Sequence, residues 1–240
     1  LHGDGSGLVA ALNIGLKNAT GEFIARMDAD DISLPTRFEE QWDYLIDNKI
    51  DLCGTSYEMI YKNKIVGRWD GPESDNDIKC ALLFMSPFAH PSVMFRKKIT
   101  NNIRYSKYKY GEDYKFWTDL AIKGLRMGNI NKPLLKYRYH SEQLSSSNIP
   151  ELRKITSKIS RSYLNYVGKK NKDLLKYFKL YEKNSSPEVF LSLINCIKIY
   201  KEKKNIGDHI YLKLVRSILF KSNLPSLKIF FLYREYTKNI

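Results

Sequence analysis

Residues 20–31 read TGEFIARMDADD. The middle of this stretch, residues 22–27, is a short apolar run that predicts a buried strand. Residues 7–18 before it carry apolar side chains at helical spacing, and a cluster of carboxylates follows it within residues 28–31. In α/β sheets, ligands collect beyond the carboxyl ends of the strands. We therefore place a candidate site at the end of this strand.

The rest of the first 150 residues continues the alternation of strands and helices, which predicts an α/β fold with a mostly parallel sheet flanked by helices. Beyond residue 150 the composition changes to helical segments rich in Lys, Tyr, Ile and Leu, for example 152–167 and 187–203. We divide the chain into an α/β domain over 1–150 and a basic, mainly helical C-terminal region over 151–240. The further elements predicted in the first domain are helices over 35–47 and 111–123, a hairpin of strands over 51–61 and 65–69, and strands over 92–95 and 134–140.

The positive charge is concentrated in the last third of the chain. The net charge is +14, and Lys and Arg exceed Asp and Glu by only one over residues 1–150 but by 13 over residues 151–240. Three interpretations of the basic region remain open: a solvated helical face, a contact of residues 169–172 and 201–204 with anionic lipid, and nucleic-acid binding. Because the charge lies outside the α/β part and no recognition motif accompanies it, no nucleic acid is expected as a partner.

Cysteine usage and hydropathy point to a cytoplasmic protein. Cys53, Cys80 and Cys196 are far apart and lack CxxC spacing, so neither a disulfide framework nor a zinc site is expected. No secretory signal is seen, and no stretch reaches about 18 uninterrupted apolar residues, the usual length of a spanning helix. We expect a cytoplasmic location, with a peripheral position at the inner face of the cell membrane as the lipid alternative.

The acidic cluster fits a metal that binds a diphosphate. Side chains alternate along a strand, so Asp28 and Asp30 are expected on one side and Asp31 on the other. Two converging carboxylates repel each other unless a cation neutralises them, and Mn²⁺ and Mg²⁺ prefer oxygen ligands. The alternative is a solvated turn in which Asp31 or Ser33 caps the following helix.

A second acidic pair, Glu112-Asp113, opens the predicted helix over 111–123. The helix dipole favours acids in a first turn, which is a sufficient structural explanation. In the functional interpretation one of the two is a general base. His90 and His140 lie near predicted strand ends, where a histidine is more often structural than a ligand. His140 precedes a polar loop and is a candidate for a metal or phosphate contact.

In this order, the motifs resemble the family-2 glycosyltransferases of bacterial surface-polysaccharide synthesis, over roughly residues 7–147. The resemblance implies a GT-A fold, with a Rossmann-like sheet, and inverting transfer of a sugar from a nucleotide-diphosphate-sugar to an acceptor hydroxyl. It implies Mn²⁺ or Mg²⁺ as cofactor, a UDP-sugar as the expected donor, and a saccharide or lipid-linked saccharide as acceptor. The matching blocks are residues 10–16, 20–31, 34–38, 90–96, 112–114 and 137–140.

The resemblance also assigns roles to single residues. Asp113 would be the catalytic base, with Glu112 beside it. Asp30 and Asp28 would hold the metal, and Asp28 would also lie near the ribose and diphosphate. The predicted donor-binding set is Arg26, Asp28, Asp30 and His140, and His90 and Ser92 are predicted on the acceptor side.

In one respect the chain departs from the family pattern. Family members normally begin with a strand and an acidic segment that hold the nucleoside base, and residues 1–6 do not replace them. We therefore expect that an N-terminal fragment is missing and that these 240 residues alone are inactive or very weak. A catalytically inactive fragment or scaffold is the main alternative function, and a basic nucleic-acid-binding protein is the other.

Overall fold

The computed structural model describes residues 7–140, 149–169, 172–173, 176, 179–180, 187–208, 211 and 215. The loop that follows His140 lies outside the described residues, as does part of the basic run at 169–172. The helices are α1 (Leu8–Asn18), α2 (Arg37–Asp47), α3 (Asp75–Ala81), α4 (Glu112–Ile122), α5 (Ile149–Gly168) and α6 (Pro187–Lys204), with 3₁₀ turns at His90–Ser92 and Lys97–Asn101. The strands are β1 (Phe23–Ala25), β2 (Ile32–Ser33), β3 (Leu52–Tyr61), β4 (Lys64–Trp69), β5 (Met94–Arg96) and β6 (Met127–Arg138).

The predicted helices and strands are all present, with different bounds for the strands predicted over 92–95 and 134–140, but the sheet is mixed rather than mostly parallel. Its strand order is β1-β5-β3-β6-β2, with β4 paired to β3. Within the described part of the chain, β3 and β6 form a parallel pair and the other four pairings are antiparallel. A hairpin at Lys62 and Asn63, both with positive φ, forces β4 to run against β3. Alternation of elements along the chain predicts the α/β class, but it does not fix the direction in which a short strand joins the sheet.

One hydrophobic core holds the sheet and the helices together. Trp117 and Phe116 of α4 are fully buried and pack with Phe95 of β5 in a cluster that also contains Tyr163 and Leu164 of α5. The Tyr166 hydroxyl donates to the Ile122 carbonyl at 3.1 Å, which ties α5 to the end of α4. The core therefore continues across residue 150, where the composition changes. The division of the chain into two domains stays a prediction.

The structure adds elements that the sequence patterns did not indicate. Helix α3 is capped by Ser74, whose hydroxyl accepts from the Asp77 amide, and β6 begins at Met127, earlier than predicted. Among the described residues, no helix is both long and apolar enough to cross a membrane.

Candidate active site

All predicted site residues except Ser92 converge on one open cleft with a volume of about 1460 Å³. Its walls come from the turn after β1, the segment before the first 3₁₀ turn, the start of α4, the end of β6 and the start of α5. Arg26, Asp28, Asp30, His90, Glu112, Asp113 and His140 all line it. Residues that lie far apart in the sequence are thus brought to one surface.

The acidic cluster lies in a turn and not in the strand itself. Strand β1 ends at Ala25, and the Asp31 amide donates to the Asp28 carbonyl at 3.4 Å. The strand-alternation argument for the carboxylates is therefore wrong, because the backbone has already left the extended conformation. The buried Arg37 side chain donates to the Arg26 carbonyl at 2.8 Å and fixes where the turn begins.

Asp28 is held by its neighbour Arg26. Two guanidinium nitrogens of Arg26 each lie 2.6 Å from a different oxygen of the Asp28 carboxylate. The Arg26 side chain is almost buried, whereas Asp28 is more than one-third exposed toward the cleft. A paired arginine and carboxylate of this kind is geometrically rigid. The orientation of the Asp28 carboxylate is therefore set before any ligand binds.

Asp30 and His140 contact each other at the wall of the cleft. Nε2 of His140 lies 3.0 Å from Oδ2 of Asp30, and both side chains are nearly half exposed. The pairing of β2 with β6 places the two side by side, and the Arg138 guanidinium donates to the Asp30 carbonyl at 2.8 Å. A carboxylate and an imidazole are thus presented together to solvent.

Asp31 has a structural position. Its side chain is buried, and its carboxylate accepts from the Arg138 amide at 2.8 Å. Burial raises the pKa of Asp31 to about 6, and the charges of Asp28 and Asp30 act in the same direction. Asp31 therefore ties the acidic turn to β6. It does not cap α2, whose N-cap is Thr36.

The second acidic pair lies at the first turn of α4. Gly111 precedes it with φ of +70°, a left-handed conformation that suits glycine. The Ser86 hydroxyl donates to Oδ2 of Asp113 at 3.1 Å. Burial raises the pKa of Asp113, and burial together with the Asp113 charge raises the pKa of Glu112 to about 7. A carboxylate with a raised pKa is a stronger base than one in water.

His90 lies behind Glu112. Its Nε2 lies 2.9 Å from the Tyr105 hydroxyl, and its Nδ1 lies 4.0 Å from Oε1 of Glu112. Burial, followed by the charge of Arg26, holds the pKa of His90 well below its usual value, so the imidazole is neutral. His90 lines the cleft where the acceptor side was predicted.

Comparison with known proteins identifies the family. Residues 1–112 match the family model described as "Glycosyl transferase family 2". An uncharacterized glycosyltransferase of Haemophilus influenzae is 31% identical to the chain over an alignment of 245 positions, which covers 93% of this chain and 76% of that protein. The chain belongs to glycosyltransferase family 2. The O-antigen biosynthesis glycosyltransferase WbnJ of Escherichia coli is 34% identical over 141 residues, 57% of this chain and 55% of its own length.

Solved structures confirm the fold of this glycosyltransferase. A crystal structure of residues 1–349 of S. aureus TarS in complex with UDP-GlcNAc superposes with a TM-score of 0.50. It covers 88% of this chain and 62% of the TarS chain, at 14% sequence identity. The predicted GT-A fold is thereby confirmed.

Ser92 does not reach the cleft of the glycosyltransferase, although it was predicted on the acceptor side. The side chain is fully buried. Its hydroxyl donates to the Ala89 carbonyl at 2.8 Å and accepts from the Thr55 amide at 3.1 Å. Both hydrogen-bonding functions are used inside the protein, so Ser92 fixes the 3₁₀ turn that positions His90.

The predicted metal ligands differ in how well they fit a cation. In the part of the chain that the structure describes, no group of three or more His, Cys, Asp or Glu side chains is close enough to form a complete metal centre. Asp28 already pairs with Arg26, but Asp30 and His140 are adjacent and exposed. Carboxylate and imidazole are both ligands of Mn²⁺, and Mg²⁺ commonly completes its shell with substrate phosphates and water. The residues present fit a cation that a diphosphate also binds.

Other residues in the cleft or next to it had no role assigned to them in the sequence interpretation. Ser86 orients Asp113, and Tyr105 contacts His90. Tyr57 and Tyr137 form part of the wall. The period-two pattern of β3 and β6 identifies the two tyrosines as neighbours on one sheet face, but nothing local marks Ser86.

Proposed function

We propose that this protein transfers a sugar from a nucleotide-diphosphate-sugar to a hydroxyl of a saccharide or lipid-linked saccharide, with inversion at the anomeric carbon. The observation that carries the proposal is that the Asp30–His140 pair and the Glu112–Asp113 pair line the same cleft. The Asp30–His140 pair suits a diphosphate and its cation, and the Glu112–Asp113 pair suits a hydroxyl that must lose a proton. Family membership supports a nucleotide-sugar donor.

The donor's diphosphate binds at the acidic turn. Asp30 and His140 would hold Mn²⁺ or Mg²⁺, which when bound supplies positive charge that stabilises the leaving diphosphate. Arg26 fixes the Asp28 carboxylate, whose oxygens can still accept further hydrogen bonds. Asp28 accepts a hydrogen bond from a hydroxyl of the donor's ribose. The Arg26 guanidinium adds positive charge on the same side. The proposed nucleotide is UDP, since the TarS structure contains UDP-GlcNAc.

Asp113 acts as the general base. It takes the proton of the acceptor hydroxyl as that oxygen forms its bond to the anomeric carbon and the bond to the diphosphate oxygen breaks. A single displacement of this kind inverts the anomeric centre. Ser86 keeps Asp113 oriented, and burial raises the pKa of Asp113, which makes it a stronger base than a solvated carboxylate.

The proposed setting is the synthesis of a cell-surface polysaccharide or glycolipid. Support comes from WbnJ, whose name assigns it to O-antigen biosynthesis. The reaction would take place in the cytoplasm, with a peripheral position at the inner membrane face when the acceptor is lipid-linked. Nucleic acid is not among the proposed partners.

A donor screen tests the proposal. UDP-sugars are incubated with the full-length protein and Mn²⁺, and hydrolysis of the donor is followed with and without EDTA. We expect one UDP-sugar to be hydrolysed only with the metal, and Asp30→Ala to abolish this activity. Asp43→Ala, which removes an exposed carboxylate of α2, is the matched control and should behave as the unchanged protein.

UDP binding separates the enzyme from the inactive scaffold. Metal-dependent thermal stabilisation by UDP that Asp30→Ala removes supports the donor site. Hydrolysis and stabilisation that are absent, or unaffected by both EDTA and Asp30→Ala, would show that the cleft is not a metal-assisted donor site.

A further inference from the structure

A row of aromatic side chains leaves the cleft along one face of the sheet. Alternate residues of a strand share a face, so Tyr57, Met59 and Tyr61 of β3 point to the same side. The register places Trp69 of β4 opposite Tyr57 and Tyr137 of β6 beside Met59. We call Tyr57, Trp69, Tyr137, Tyr61 and Tyr139 the aromatic row.

The rings of the row form two contacting groups. Tyr57 stacks on Trp69 with ring centroids 5.3 Å apart and contacts Tyr137 at 5.2 Å. Farther along the strands, Tyr61 meets Tyr139 edge to face at 6.4 Å. Met59 lies between Tyr57 and Tyr61 on the same face of β3, and its methyl group packs over Gly67 of β4.

The row begins inside the cleft and ends in solvent. Tyr57 and Tyr137 line the cleft beside the acidic turn. Tyr61 and Tyr139 are 44% and 50% exposed, which is high for large aromatic side chains. Exposed apolar surface that is continuous with a binding cleft marks a place where ligand binds.

The chemistry of the row suits sugar rings. A pyranose presents C–H groups on its faces and hydroxyls around its edge, and tyrosine combines an aromatic face with a hydroxyl that can donate and accept. Four of the five rings are tyrosines, so the surface offers stacking and hydrogen bonding together. A purely hydrophobic partner would leave these hydroxyls unused.

The length of the row distinguishes the acceptor from the donor. Tyr57 and Tyr61 are four residues apart on β3, which corresponds to about 13 Å along the strand. That distance exceeds one sugar ring, whereas a nucleotide-sugar donor carries its sugar next to the diphosphate. We propose that the aromatic row binds the saccharide chain of the acceptor and that the acceptor has at least two sugar units. This inference rests on the proposed function of the cleft.

Saccharide affinity tests the row directly. The full-length protein is titrated with cellotetraose, N-acetylchitotetraose and mannotetraose and with the corresponding monosaccharides, and binding is measured by saturation-transfer NMR. We expect at least one tetrasaccharide to bind more tightly than its monosaccharide. The double variant Tyr61→Leu/Tyr139→Leu should weaken that binding on the order of tenfold, as expected for the loss of two ring contacts.

Two further variants separate stacking from general damage. Tyr61→Phe/Tyr139→Phe keeps the rings and should retain most of the affinity. Phe38→Leu removes an exposed ring of α2 that belongs neither to the row nor to the cleft lining, and it should leave the affinity unchanged. Circular dichroism and thermal unfolding check that each variant is folded.

Several results would overturn the proposal: no saccharide of the panel binds, chain length has no effect, or the double Leu variant binds as well as Phe38→Leu. A change in oligomeric state of the double Leu variant in sedimentation would show that a second copy of the chain occupies the row, which also overturns it. The proposed function fails separately, because Asp30→Ala tests it through donor hydrolysis and the row is tested without donor.

Discussion

His140 Nε2 lies 3.0 Å from Asp30 Oδ2, although 110 positions separate the two residues in the chain. The short β2 strand creates this contact by pairing with the end of β6. The same pairing fixes Asp31 against the Arg138 backbone, so the acidic turn has one defined position relative to β6. The contact brings Asp30, within the residues that match the family model, together with His140, which lies beyond them.

His140→Ala should weaken metal use without abolishing donor binding. Loss of the imidazole leaves Asp30 as the remaining protein ligand of the pair. We expect the Mn²⁺ concentration for half-maximal donor hydrolysis to rise roughly tenfold to a hundredfold. Lys132→Ala, an exposed change on β6, the strand that precedes His140, is the control. An unchanged Mn²⁺ dependence in His140→Ala would remove His140 from the metal site.

Asp113→Asn should lower transfer by roughly 10²-fold to 10⁴-fold, because an amide cannot accept the proton of the acceptor hydroxyl. UDP binding should persist, since the donor binds at the other side of the cleft. The comparison is Asp119→Asn, which changes a carboxylate on the same helix that pairs with Lys115. Equal rates for the two variants would exclude Asp113 as the base.

Ser86→Ala should have a smaller effect than Asp113→Asn. The variant leaves the Asp113 carboxylate in place but removes the hydroxyl that orients it. We expect a loss of about tenfold in kcat, equivalent to one hydrogen bond to a charged group, with little change in donor KM. A change confined to donor KM would contradict an orienting role.

Glu112→Gln should stabilise the protein above neutral pH. The pKa of Glu112 is about 7 in the folded protein against a usual 4.5, because burial and Asp113 oppose its ionisation more than the Arg26 charge favours it. His90 is neutral, so it supplies no positive charge that would lower the pKa of Glu112. Between these two values the folded state binds more protons than the unfolded state, so the Glu112 contribution to stability falls as pH rises.

Gln cannot ionise, so the free energy of unfolding of Glu112→Gln should exceed that of the unchanged protein only slightly at pH 5 and by up to about 3 kcal/mol at pH 8. Urea unfolding of both proteins at the two pH values measures the difference. The same stability difference at pH 5 and pH 8 would show that Glu112 ionises normally.

Ser92→Ala should destabilise the fold and spare catalysis. The change leaves the buried Thr55 amide without its acceptor, which costs about 1–3 kcal/mol. Because the hydroxyl does not reach the cleft, kcat and acceptor KM should stay unchanged at temperatures where the variant is folded. An increased acceptor KM would restore the role on the acceptor side that the sequence pattern suggested for Ser92.

The sequence indicates which residues line the cleft better than it indicates how their side chains are held. The acids at 28–31 and 112–113 stand out because their positions after a strand and at a helix start are local features. The Asp30–His140 contact depends on strand pairing, which no local pattern specifies. Ser86 and Ser92 look alike in sequence, each beside a proline, yet one orients Asp113 and the other is buried. Only long-range packing separates them.

Helix α5 packs against Gly111, and this contact limits where the chain can be recombined with a relative. A side chain at this glycine would meet Ile159 and Thr156 at 3.3 and 3.4 Å, so α5 lies directly against the start of the helix that carries Asp113. A chimera that exchanges the C-terminal part at residue 150 would divide this contact and the shared core between two parents. Because α6 packs into the same core through Leu193, Ile194 and Ile197, the α/β part should be exchanged together with both α5 and α6.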